Sequence, residues 1–163
     1  MGMVNAMIRL MKKSETYDVM DLWLRTSNYS NSFIKADFWE THYDYIKQKY
    51  IDKKDTFVYL KDDKIVGFTV VGADNEIGGL FVDPAYQNEG IGTELINFLK
   101  SEYPCLTSDV YARNRKAFQF SVDLGFTVRE AMRHSANNEV MYRMIWNGDE
   151  AEDKEDDVKI WKK

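Results

Sequence analysis

One run near the middle of the chain constrains the fold more than any other: Leu80-Phe81-Val82-Asp83-Pro84-Ala85-Tyr86-Gln87-Asn88-Glu89-Gly90-Ile91-Gly92-Thr93. It passes from an apolar strand-like segment through a proline turn into the start of an amphipathic helix. Gly90 and Gly92 remove side chains where that helix begins, so its unpaired N–H groups and positive dipole end can face an anion such as a diphosphate. The run is not a dinucleotide fingerprint, because the third glycine is missing, and not a P-loop, because no Gly-Lys-Ser/Thr ending follows. A lone Gly-x-Gly is weak evidence. The order strand, Gln-x-x-Gly-x-Gly, helix makes a coenzyme site more credible.

The hydrophobic period changes on either side of this run. Residues 6–11 read as a strand, and residues 15–28, capped by Ser14, as a helix with Val19, Leu22, Trp23 and Thr26 on one face. Asn28-Tyr29-Ser30-Asn31-Ser32 reads as a loop, and residues 36–50 as a second helix rich in aromatic side chains. Residues 56–60, 65–71 and 77–82 read as an antiparallel meander joined by polar turns at Lys61-Asp62-Asp63-Lys64 and Ala73-Asp74-Asn75. Gly67 marks a bulge or a close approach, and Gly78-Gly79 weaken the third strand of the meander. After the helix at 90–102 come a strand at 106–111, a helix at 114–124 and two strands at 126–132 and 140–146.

Composition narrows the class of partner. The 163 residues suit one domain, expected over 1–147, with 148–163 as an acidic, flexible tail. Residues 149–157 hold seven acidic side chains and one lysine, too polar to pack. A net charge of −5 argues against nucleic acid and anionic membranes as partners. No long apolar run suggests a signal or a membrane span, so a cytoplasmic location is expected. Cys105, the only cysteine, reads as a small buried hydrophobe. With two histidines and one cysteine, a zinc centre is not expected, and no metal enters the reading.

With these motifs in place, the chain resembles the GNAT N-acetyltransferase superfamily, in particular its small bacterial members. Gln87, Gly90 and Gly92 match the family's Arg/Gln-x-x-Gly-x-Gly/Ala signature. Asn114, Ala117, Phe120, Gly125 and Phe126 match its Asn-x-x-Ala-x-x-Phe-Tyr-x-x-x-Gly-Phe pattern, and the likeness covers about 7–146. The resemblance implies an α/β fold with a mixed, mostly antiparallel central sheet flanked by helices, its fourth and fifth strands splayed apart. It implies acetyl-CoA as cosubstrate. Backbone groups at Phe81 and Val82 would pair with the pantetheine arm, and the amides of Gln87, Asn88, Glu89, Gly90, Ile91, Gly92 and Thr93 would hold the pyrophosphate. Asn114 would contact the pantetheine, cap the next helix, or do both. The acceptor would be a primary amine of a small molecule or a protein, the small molecule slightly favoured. A non-catalytic acyl-CoA-binding module is the alternative, and a homodimer is left open.

Acetyl transfer needs a deprotonated amine, a polarised thioester carbonyl and a stabilised leaving thiolate. The family often places a tyrosine acid directly after the phenylalanine of its fourth helix. Here that residue is Ser121, a poor acid. The thiolate is then protonated by water or by a tyrosine from elsewhere, or much activity has been lost. Tyr111 is the substitute candidate, and Glu76 the candidate base. His42 and His134 have the right pKa range, without a motif to assign them a role. Trp23, Phe33, Trp39, His42 and Tyr43 are candidates for the acceptor pocket, and periodicity does not separate that use from core packing.

Overall fold

The structure is a computed structural model that describes residues 5–149. The expected acidic tail lies outside the described residues from 150 onward. Chain contacts divide the molecule into two compact units, the first ending at Phe98 and the second beginning at Leu99.

The first unit is built on four antiparallel strands in the order β1-β2-β3-β4: Ala6–Leu10, Asp55–Lys61, Lys64–Val71 and Glu76–Val82. The meander expected from the polar turns is therefore present. The tight turn between β2 and β3 places Asp62 and Asp63 at φ 50° and 64°, a conformation that short polar side chains tolerate. Gly67 is a close-approach position. A Cβ there would lie 3.2 Å from the Ile91 side chain of the helix packed above it.

Helix α1 (Thr16–Ser30) packs against β3 and β4. Val19, Met20, Leu22, Trp23, Thr26 and Ser27 form its buried face, recurring at helical spacing. Two details depart from the sequence reading. The helix continues through Asn28-Tyr29-Ser30, because buried Thr26 and Ser27 keep its last turn docked. Ser14 lies in a 3-10 turn, Lys13–Glu15, and does not cap α1. The organising residue there is Glu15, which accepts from Lys12 N at 2.8 Å and from both terminal nitrogens of Arg9 at 2.9 Å. Helix α2 (Ala36–Ile46) is shorter than the expected 36–50. Its last stretch widens into a π-helical turn, Lys47–Ile51, with buried Ile51. Helix α3 (Ile91–Glu102) follows β4; Ile91 and Leu95 pack with Tyr59 and Val66.

In the second unit the strand order is β5-β7-β6, from Cys105–Tyr111, Val140–Asn147 and Thr127–Arg133, all antiparallel. The last strand in sequence is thus the middle one, and its Met144 is fully buried. Helix α4 (Arg115–Asp123) packs on β5. The Arg143 guanidinium forks onto the Asp109 carboxylate with two 3.0 Å bonds, linking β7 to β5. Among the described residues no helix is long and apolar enough to cross a membrane.

Candidate functional site

The end of β4 is held by side chains that turn inward. Asp83, only 6% exposed, accepts from Ala85 N at 3.0 Å, and Arg25 of α1 donates to its other oxygen at 3.3 Å. Its own N–H donates to Val66 O at 2.8 Å, and its carbonyl accepts from Tyr86 N. These bonds fold Pro84–Tyr86 into one 3-10 turn with proline at its start, where no N–H is needed. Gln87 Nε2 donates back to Val82 O at 3.1 Å, and Glu89 pairs with Lys61 of β2 at 2.9 Å. Lys61 and Lys64 lie over the Tyr86 ring, 5.4 and 5.5 Å from its centroid. The side chains of Asp83, Gln87 and Glu89 are thereby engaged with the protein.

What the turn leaves uncovered is main chain. Asn88 has φ 66° and Gly90 φ 84°, so the chain bends sharply before α3. A Cβ at Gly90 would meet nothing within 4 Å, so the helix end opens to space there. The first intrahelical bond of α3 runs from Glu94 N to Gly90 O at 3.0 Å. The amides of Ile91, Gly92 and Thr93 therefore precede the helical ladder and point out of it, the geometry that receives a phosphate. Glu94, in the first turn of the helix, accepts a hydrogen bond from the Tyr59 hydroxyl. Burial, then that bond, push the Tyr59 phenol up to about 12.

Phe81 and Val82 both lie on β4. The Phe81 ring stacks on Phe68 at 4.8 Å, and Val82 packs beside the Tyr59 and Ile91 cluster. Glu76 is the first residue of β4, and its carbonyl accepts from Gly72 N. Between Glu76 and Phe81 the strand is irregular: Val70 pairs with Gly79 and Val71 with Ile77, leaving Gly78 as an extra residue. Such a bulge re-aims backbone groups. The glycine pair that weakens the strand by propensity is thus where the strand bulges.

Four of the expected acceptor residues, Trp23, Trp39, His42 and Tyr43, join Phe38 in one aromatic group on α1 and α2. Trp23 meets Trp39 and Tyr43 edge-on at 6.0 and 6.2 Å, and Phe38 stacks beside His42 at 4.1 Å. His42 Nδ1 lies 2.6 Å from the Phe38 carbonyl, which fixes the ring and leaves Nε2 as its other pole. Trp23 and Trp39 are 4% and 8% exposed, so most of their surface is spent on packing. Phe33 lies between the two helices in sequence and is half-buried.

The remaining candidates belong to the second unit. Asn114 caps α4, accepting from Ala117 N at 3.1 Å. The Ser121 hydroxyl donates to the Ala117 carbonyl one turn back at 3.1 Å. The Tyr111 oxygen accepts from Asn137 Nδ2 at 2.7 Å, beside the His134 ring at 6.1 Å. Burial pushes the Tyr111 phenol above its ordinary value, against the opposing effect of Asn137, which makes it a weaker acid. His134 Nδ1 accepts from Ala136 N at 3.2 Å.

Comparison with known proteins identifies the family and the fold. The model of the acetyltransferase (GNAT) family matches residues 16–126, a segment that contains the β4 to α3 turn and α4. Peptidyl-lysine N-acetyltransferase YiaC of Escherichia coli is 26% identical over 140 residues, 86% of this chain and 96% of YiaC. Peptidyl-lysine N-acetyltransferase YjaB of the same organism is 25% identical over 122 residues, 74% of this chain and 82% of YjaB. The solution structure of apo YjaB has the same fold, with a TM-score of 0.77 at 21% identity, covering 87% of this chain and 97% of that one. So has the PaiA N-acetyltransferase of Thermoplasma acidophilum in complex with coenzyme A, with a TM-score of 0.72 at 16% identity over 88% and 99% of the two chains. The chain belongs to the GNAT family of acetyltransferases.

Proposed function

We propose that this acetyltransferase moves the acetyl group of acetyl-CoA to a primary amine, with the side-chain amine of a protein lysine as the acceptor class. The observation that carries the reading is the start of α3. Its first amides lie outside the helical ladder, Gly90 is uncovered, and Gln87 and Glu89 are tied to Val82 and Lys61. A diphosphate there is held by main-chain donors and the helix dipole. The acyl arm runs along β4 past Phe81 and Val82 toward the bulge at Gly78. The lysine acceptor is supported by YiaC and YjaB, both of which act on peptidyl lysine by name.

In this reading the neutral amine attacks the thioester carbon, whose oxygen draws on backbone N–H groups near the bulge. The C–S bond then breaks and the thiolate leaves. Water protonates the sulfur. The test offers acetyl-CoA with amino-blocked lysine peptides and, separately, small polyamines, following thiol release and acetylated mass. Acetylated peptide lysines are expected. Transfer confined to small amines would overturn the acceptor class.

Ser121 in place of the family's tyrosine also favours a second reading, an acyl-CoA-binding module without turnover. Tight coenzyme binding with no thiol release across both acceptor sets would select it, and any enzymatic turnover would exclude it.

A further inference from the structure

The two glycines of the β4 bulge are roofed by aromatic rings. A Cβ at Gly78 would lie 2.9 Å from Tyr50 Cδ1 and 3.2 Å from Cε1, and one at Gly79 would run into the Phe81 ring. Tyr50 arrives there from the far end of α2, on the π-helical turn Lys47–Ile51. Such a turn shifts every following side chain around the helix axis relative to continued α-helix, and these turns concentrate at functional sites. Contacts among the described residues brace the ring. Gly78 lies against it, the Tyr45 ring meets it edge-on at 6.5 Å, and the Lys54 ammonium sits 4.2 Å from its centroid. Lys54 is itself pressed along Gly72, so it is not a swinging surface chain. Any side chain at position 78 would displace this ring. The sequence therefore combines a glycine in a strand, a widened helical turn and a braced lysine, and what they jointly place over the bulge is a phenol.

We infer that Tyr50 is a substrate-contacting residue: its hydroxyl oxygen accepts a hydrogen bond from the acceptor amine and aims the nitrogen lone pair at the thioester carbon. This rests on the proposed placement of the acyl arm along β4. A phenol oxygen has two lone pairs, so it accepts from an amine whatever its own proton does. Lys54 adds a second effect, because a fixed positive charge beside the site disfavours the protonated acceptor and favours the neutral, nucleophilic one. Tyr50 neither gains nor loses a proton in this role. The N–C bond forms as the C–S bond breaks, the electron pair leaves on sulfur, the surplus amine proton passes to water, and water protonates the thiolate.

The experiment uses the full chain and Tyr50→Phe, which keeps the ring over Gly78 and removes only the oxygen. The readouts are acetyl-CoA affinity by titration calorimetry, thermal stability, and kcat/KM for the peptide-lysine acceptor. Expected are an unchanged coenzyme affinity, an unchanged melting point and a kcat/KM lower by about tenfold, the worth of one oriented hydrogen bond in the transition state. Gly78→Ala, which pushes the ring aside, is expected to give a similar loss, and the double variant little more than either alone. Equal kcat/KM for wild type and Tyr50→Phe overturns the role of Tyr50 while leaving the proposed function standing. A wild type that neither binds acetyl-CoA nor acetylates any amine removes both.

Discussion

The two ends of β4 are built in opposite ways. At the Val82 end Asp83, Gln87 and Glu89 are tied to the protein's own atoms and the start of α3 offers bare amides. At the Glu76 end the chain has no side chains of its own at Gly78 and Gly79; the Tyr50 ring from α2's far end lies against the first and the Phe81 ring of the same strand against the second. A diphosphate is recognised by charge and a cluster of donors, which main chain supplies wherever a helix starts without side chains in the way. A particular amine needs a particular atom at a particular place, which only a side chain supplies. One end is thus local in sequence and general in chemistry. The other joins segments distant in sequence, and in the proposal it is the end that aims the acceptor.

The largest effect is expected at the amide end. Gly90→Asp puts a negative charge at the mouth of α3 and should weaken acetyl-CoA binding roughly 100-fold by calorimetry. Gly90→Asn tolerates positive φ and has room, so it should lose far less. Equal losses for the two would mean that backbone conformation, not charge, matters there. At the ring end, Tyr50→Phe should cost about tenfold in kcat/KM with coenzyme affinity intact, the reverse of the Gly90 pattern. If both variants moved the same parameter, the two ends would not be separate devices.

Smaller effects concern what braces the amide end. Asp83→Ala removes the acceptor of Ala85 N and one partner of Arg25, and should lower stability by about 1–2 kcal/mol in urea while loosening coenzyme binding. Tyr59 braces the start of α3 through Glu94. Its phenol is raised in the fold from 10.0 to about 12, so its contribution is complete below pH 10 and is lost as pH rises through 12. Tyr59→Phe should therefore flatten the alkaline fall in stability. The smallest effect belongs far from either end. Arg9 holds the Glu15 carboxyl down from 4.5 to about 2, so that contribution is complete above pH 4.5 and fades as pH falls toward 2. Arg9→Ala should lower stability only slightly at neutral pH, read in urea, with no change in coenzyme affinity.

How much was legible follows the same division. The strand–turn–helix at Leu80 to Thr93 and the cap at Asn114 were readable because each is a contiguous run whose residues act on neighbouring backbone. Trp23 was readable as a packing residue by its helical spacing, while the partition of Trp23 and Trp39 between core and pocket was not. Asp83, Arg25 and Lys61 escaped notice, since Arg25 meets Asp83, and Lys61 meets Glu89, only after the helix and the hairpin have folded onto the turn. Tyr50 was read as one more helical aromatic. Nothing in Lys47-Gln48-Lys49-Tyr50-Ile51 announces a π-helical turn, and nothing local links it to Gly78. The one available signal was the glycine pair inside a strand, which asks what lies close above it.

The central claim is that main-chain donors at the start of α3 hold the coenzyme's diphosphate. An amide-resolved NMR titration of the full chain with acetyl-CoA tests it most directly. The account predicts saturable shifts, the largest at the amides of Gly90, Ile91, Gly92 and Thr93, reproduced by the 3′,5′-ADP portion alone. Binding that leaves those four amides unmoved, or no binding at coenzyme concentrations on the order of a millimolar, would contradict it.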